Sequence, residues 1–229
     1  MHHIEHEFRL VDTMREEHKL SEEFNAVSPI QEIPCITEGS YKIISGPCQF
    51  MFYLCNTRSI VKDSLYPKDC ERMINRHIAW YQNKLRPKTQ KLIKMLQRQL
   101  QEENNLLTRG GSQEAASRSS SLRTSSMSAK PQNVEFELDA IKQLLDQLDT
   151  QLRSSNAKYF GNTLSIADIL YFWELCTLQH LLKREIVPAN TELATWFYES
   201  MKHKEEIRQI DQKALEALAQ YDQSRRGAR

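Results

Sequence analysis

No apolar run in this 229-residue chain approaches the roughly 20 residues that crossing a bilayer requires. The N-terminus, with Glu5 and Glu7 among its first residues, has neither the apolar stretch of a signal peptide nor the arginine content of a transit segment, and the default compartment is the cytosol. No CxxC pair occurs among the five cysteines, Cys35, Cys48, Cys55, Cys70 and Cys176, and their odd number argues against a disulfide framework and against a structural zinc site. They read as free thiols. Neither sign of charge prevails, 31 basic residues against 30 acidic, so no broad field favours nucleic acid or an anionic membrane surface. No internal repeat of about 20 to 50 residues stands out. What is present is a 40% hydrophobic content, enough to bury a substantial core in one large domain or two small ones sharing an interface.

Residues 7 to 12 alternate polar and apolar side chains as a half-buried strand does, and the stretch from Met14 to Phe24 is polar and helix-compatible. Pro29 and Pro34 each push the preceding residue toward extended geometry, which predicts a loop entering a short strand at Cys35-Ile36. Glu38-Gly39-Ser40 is a turn, and Tyr41 to Ile44 is the partner strand of an antiparallel hairpin. Ser45-Gly46-Pro47 resembles a helix start, with a small polar residue to cap and proline at the first helical position, and the run Phe50 to Leu54 is the part of that helix buried on the sheet.

From Tyr66 onward strand signals stop. Pro67-Lys68-Asp69 opens a helical pattern carrying Met73, Ile74, His77, Ile78, Tyr81 and Leu85. Residues 108 to 133 are rich in serine, glycine and basic residues and poor in core formers, which predicts a mobile linker. Within it, Arg118 to Ser121 and Arg123 to Ser126 place an arginine three residues before a serine, a cheap pattern for basic-directed kinases. Beyond it, Val134, Leu138, Ile141, Leu145, Leu148 and Leu152 form a stripe too short for a coiled coil and suited to a core helix.

Several local motifs make a family resemblance specific. Val11-Asp12, His18, Leu20-Ser21, Phe24, Ser28-Pro29 and Ile33-Pro34 resemble the theta-class glutathione S-transferase stretch that begins at its second strand. Tyr66-Pro67-Lys68-Asp69 and Ile78-Ala79-Trp80 resemble that family's fourth helix. Phe160-Gly161 through Ile169 resembles its most recognisable C-terminal motif, in which Ser165 and Asp168 have the spacing of a reciprocal cap. The resemblance implies an α+β protein: an incomplete thioredoxin-like N-terminal domain, residues 1–62, lacking the first strand and helix, followed by an all-helical glutathione-transferase C-terminal domain, residues 63–229. It also implies a two-fold homodimer.

In that family a hydroxyl stabilises the glutathione thiolate, which attacks a small electrophile held by the helical domain. Theta enzymes supply it from a serine at the first strand-to-helix turn, and no residue of this sequence matches it; Thr13 and Ser21 lie too late. The resemblance makes Ile33-Pro34 the backbone contact to the glutathione cysteine and places His18 near the glycine carboxylate, although a solvated histidine in a polar helix reads equally well. Glu32 stands where theta enzymes carry a lysine facing that carboxylate, replacing an attraction by a repulsion of about 1 kcal/mol or more. At the γ-glutamyl end the family uses an acid followed by serine; here only Ser45 is present, and Asn75 replaces an acid of the fourth helix.

Cys48, in the first turn of a helix, is either a redox thiol or a small buried residue. Trp80, Phe172, Trp173 and Trp196 are candidates both for core and for an electrophile pocket, and His2, His3 and His6 form no second cluster that would make a metal site of a frayed terminus. Two functions follow: a theta-like transferase binding glutathione weakly, with conjugation weak or absent, or a non-catalytic docking module on the same fold within a protein assembly.

Overall fold

The computed structural model describes residues 7, 11, 17–29, 35–44, 46–110, 131–210, 212, 213 and 216. Helices α1 (Glu17–Leu20) and α2 (Glu22–Val27) meet at Ser21, whose hydroxyl accepts from the Phe24 amide at 3.1 Å and so starts α2 anew. The polar stretch expected to be helical is thus two short helices. The strand expected over residues 7 to 12 lies outside the described residues, apart from Glu7 and Val11, which stand in no regular element.

Strands β1 (Cys35–Glu38) and β2 (Tyr41–Ile44) pair antiparallel, with Cys35 opposite Ile44 and Glu38 opposite Tyr41. Gly39 closes the turn at φ +57°, where a side chain would be strained. Glu38 then accepts from the Tyr53 hydroxyl at 2.7 Å and pairs with Arg58 at 2.5 Å, tying the turn to the end of α3 (Pro47–Thr57). The pair is solvent-exposed and contributes little to stability.

The start of α3 differs from the sequence expectation. Its N-cap is Gly46, without a side-chain cap, and Pro47 takes the first helical position as foreseen. Burial in α3 concentrates at Cys48 and Cys55, while Phe50 to Leu54 are half-buried. Helix α4 (Ser59–Leu65) follows, and Pro67 leads into a 3-10 turn, Lys68–Cys70, before α5 (Glu71–Trp80).

Helix α5, a π-helical turn at Tyr81–Leu85 and α6 (Arg86–Gly110) are continuous. Helix α7 (Pro131–Ser155) runs antiparallel to them: Lys91 pairs with Glu137 at 2.5 Å near one end of α7, and Trp80 lies beside Gln151 and Ser155 at the other. Residues 108–110 and 131–133, expected to lie in a linker, are helical, and the rest of that expectation, with the arginine–serine patterns, falls outside the described residues. Low apolar content set the expected boundary, whereas backbone hydrogen bonding carries a helix past its last core residue. On α7 the stripe is buried at Leu138, Ile141, Leu145, Leu148 and Leu152, as a core helix requires, and half-buried at its first member, Val134.

Helix α8 (Ile166–Leu182) is apolar on nearly every side and occupies the centre of the bundle. Helix α9 (Glu192–Ala194), a second π-helical segment at Thr195–Lys202, and helical residues 205–210, 212, 213 and 216 complete the described chain. Asp149 of α7 accepts from the Leu193 amide at 3.0 Å and fixes α9 in place. The five cysteines are free, as expected. Among the described residues no helix is long and apolar enough to cross a membrane.

The expected capping box is present at the start of α8 and extends further than sequence spacing suggested. One Asp168 oxygen accepts from the Ser165 amide at 3.0 Å and from its hydroxyl at 2.7 Å; the other accepts from the Phe160 amide and the Trp196 indole, each at 3.0 Å. Gly161 lies between, where an added Cβ would stand 3.1 Å from the Ser165 Cβ and 3.3 Å from Ile74. Asp168→Ala leaves buried donors without partners and should lower unfolding stability by about 3 kcal/mol or more, since each orphaned buried donor costs roughly 1–3 kcal/mol. A urea midpoint equal to the parent's would contradict this.

Candidate functional site

The residues expected to meet glutathione are not brought together in the described part of the structure. His18 has its backbone in α1, with its side chain outside the described set, and Glu32, Ile33, Pro34 and Ser45 lie outside the described residues. The described neighbours of Pro34 and Ser45 in sequence, Cys35 and Ile44, are cross-strand partners. Asn75, standing where the family carries an acid, accepts from the Tyr66 hydroxyl at 2.8 Å.

Cys48 is 3% exposed, and burial pushes its thiol up to about 11, against weaker lowering by Gln82 and Arg86. The amides at the start of α3 do not offset desolvation, so the residue remains a thiol at neutral pH and reads as a small buried side chain. Around it lies a polar cluster that sequence spacing did not single out. Glu174, in the middle of α8, is 4% exposed and accepts from the Tyr81 hydroxyl at 2.7 Å, from Arg86 and from the Thr89 hydroxyl. Burial and the neighbouring Glu174 raise the Tyr81 hydroxyl far above its ordinary range. One signal in the sequence could have found the cluster: Glu174 is the lone acid in the apolar stretch that follows Asp168 in α8.

The described residues also form a groove of about 300 Å³ between α5, the last turns of α7 and the loop before α8. Met73, Arg76, His77 and Trp80 line it from α5, Gln151 and Ser154 from α7, and Tyr159, Phe160 and Asn162 from the loop. His77 lies 5.1 Å from the Phe160 ring and 6.2 Å, edge-on, from Tyr171. Burial, and secondarily the Arg76 charge, lower its pKa to about 4, leaving a neutral imidazole at pH 7. Of the aromatic candidates, Trp196 and Phe172 are core, Trp173 is half-buried beside Phe172, and Trp80 lines the groove. His2, His3 and His6 lie outside the described residues; among those described, no group of three or more metal-ligating side chains gathers.

Residues 119–210 match the family model described as glutathione S-transferase, C-terminal domain. No curated protein sequence matches the chain. Among solved structures, glutathione transferase URE2P5 from Phanerochaete chrysosporium superposes with a TM-score of 0.67 at 15% identity, over 94% of this chain and 86% of that one. Human glutathione transferase theta-2, in complex with glutathione and an unknown ligand, gives 0.64 at 18% identity over 88% and 73%. Glutathione transferase F7 from Populus trichocarpa gives 0.61 at 15% identity over 88% and 84%. The chain thus has the glutathione transferase fold, a partial thioredoxin-like unit followed by a helical domain.

The neutral His77 gives the fold a pH dependence. Above about pH 6.5 the imidazole is neutral in both folded and unfolded chains and contributes no slope; below it the unfolded chain gains a proton that the folded one refuses down to about pH 4. Stability should therefore fall across that window, and His77→Gln should flatten this part of the profile. Equal slopes for parent and variant in urea melts between these limits would overturn the assignment.

Proposed function

We propose that the chain is a theta-like glutathione transferase homologue that binds glutathione weakly and conjugates it to small electrophiles weakly or not at all. The observation that carries this reading is the hairpin β1–β2 leading into α3 at Pro47 and then into the helical domain, the layout shared with transferases solved with glutathione. On this reading the peptide is held by the backbone at Ile33-Pro34, with His18 and Ser45 nearby, and Glu32 repels a glutathione carboxylate. The proposed division is residues 1–62 for the small domain and 63–229 for the helical one, with α4 as the connection. A cytoplasmic location accompanies the proposal.

A second reading is a non-catalytic docking module within a protein assembly, favoured by Glu32, which opposes a glutathione carboxylate, and by the absence of an acid before Ser45. Two measurements bear on the proposals. Calorimetry should give weak glutathione binding that tightens by about fivefold or more in Glu32→Lys, as expected for reversing a charge near a carboxylate; tight binding by the parent, or no gain in the variant, sinks the glutathione reading. A homodimer is proposed as well, as the family resemblance implies. Light scattering should then report at least twice 26.9 kDa, and a well-folded monomer at micromolar concentration would remove the dimer.

A further inference from the structure

We propose that the outward face of α6 docks an extended acidic peptide segment of another protein, with carboxylates at alternate positions. Charge in this chain is balanced overall but not along its length: residues 72–101 hold eight arginines and lysines and neither an aspartate nor a glutamate. All eight lie on the continuous helical run from α5 through the π-helical turn into α6. Three are already committed, Arg86 to the buried Glu174, and Lys91 and Lys88 to the buried Glu137 of α7 at 2.5 and 4.0 Å. Lys84, Lys94 and Arg98 are exposed and have neither an ion-pair nor a hydrogen-bond partner among the described residues.

Helical geometry gathers these cations into one row. At about 100° per residue, Lys84, Lys88, Lys91, Lys94 and Arg98 fall within an arc of about 120°, while the fully buried Leu85, Thr89 and Leu92 turn away from it into the bundle. Successive members stand three or four residues apart, the spacing at which like charges repel and disfavour the helix. Glu137 relieves the middle of the row from the α7 side and leaves its two ends without an anion. The next acid along the helix is Glu102, beyond the end of the row.

The spacing and surroundings of the row decide its occupant. Neighbouring cations are separated by about 4.5 to 6 Å along the axis, and the row is about 21 Å long. Side chains on one edge of an extended chain recur at roughly 6.6 Å, so about six extended residues with alternate acids bring a carboxylate to each part of the row. Nucleic acid is disfavoured, because none of the exposed described side chains of α6 is an aromatic on which a base could stack, and a net charge of +1 draws no polyanion from a distance. A bilayer is disfavoured as well, since the exposed positions between the cations, Pro87 and Gln90, offer no large apolar side chain to enter it.

The test is fluorescence anisotropy of a labelled octapeptide of alternating glutamate and serine, titrated with the full chain at low salt. It should bind saturably and weaken about tenfold or more when salt is raised from 50 to 300 mM, as screening of exposed pairs requires. The triple variant Lys84→Gln, Lys94→Gln, Arg98→Gln should keep the parent's thermal melt, because all three side chains are exposed and unpaired, and lose about tenfold in affinity. Lys62→Gln, Lys68→Gln, Lys213→Gln removes the same charge from exposed positions off α6 and should bind as the parent does. Absence of saturable binding, an unchanged affinity in the α6 variant, or an equal loss in the control variant would each overturn the proposal. Tighter binding of an eight-residue oligothymidylate, or adsorption to phosphatidylserine vesicles without peptide binding, would assign the face to nucleic acid or to lipid and overturn it too.

Discussion

The helical bundle is organised around one buried carboxylate. Asp168 receives donors from the turn that starts α8, from the loop before it and from the π-helical segment that follows α9. Desolvation pushes its pKa up, while those donors pull it down. A carboxylate so enclosed is stable only while its acceptor sites are filled, and the same requirement fixes the positions of the groups that fill them. The loop therefore cannot drift from α8, nor Trp196 from either. Phe160 packs against both Trp196 and Tyr171, so the aromatic core is assembled on the scaffold that the carboxylate sets.

A second buried acid divides the labour along the same helix. Glu174 lies further along α8 and reaches Tyr81, Arg86 and Thr89, the residues bracketing the π-helical turn between α5 and α6. Tyr81 and Leu85, four residues apart across this turn, share a face and both enter the core, and Arg86 directly after them reaches the acid. Breaking one partner of such a pair is far costlier than the pair's net worth, so the cluster specifies how the long helix seats against α8 more than it adds to stability.

What the sequence revealed follows from how local the physics is. The stripe on α7, the hairpin with Gly39 at its turn and the Ser165–Asp168 cap each depend on residues a few positions apart, and each is found as read. The extra reach of Asp168 to Trp196, and all of the Glu174 cluster, join residues far apart in sequence, which periodicity cannot register. Composition misplaced the ends of α6 and α7 because serine and glycine counts report burial, not hydrogen bonding. The choice of Ser45 as helix cap was off by one residue for a similar reason: serine is the better capping side chain, yet Pro47 at the first helical position makes Gly46 the cap. The groove was half legible, since Met73 and His77 were read on one helical face and Trp80 as a candidate for core or pocket, whereas Gln151 and Asn162 came to it only through folding.

The two faces of α5 show how one helix serves both the core and the groove. Ile74 and Ile78 point into the core, fully or almost fully buried, and the His77 carbonyl accepts from the Tyr171 hydroxyl of α8 at 2.9 Å. That bond uses backbone, so the His77 side chain is left to the groove. Its imidazole is pressed among rings with a cation beside it, an arrangement that disfavours a second positive charge. The imidazole is half-buried and packs on the Phe160 and Tyr171 rings, so it joins the groove wall to the aromatic core. One face of α5, Ile74 and Ile78, is thus given to the core, while a neighbouring face carries Arg76 and His77 to the groove.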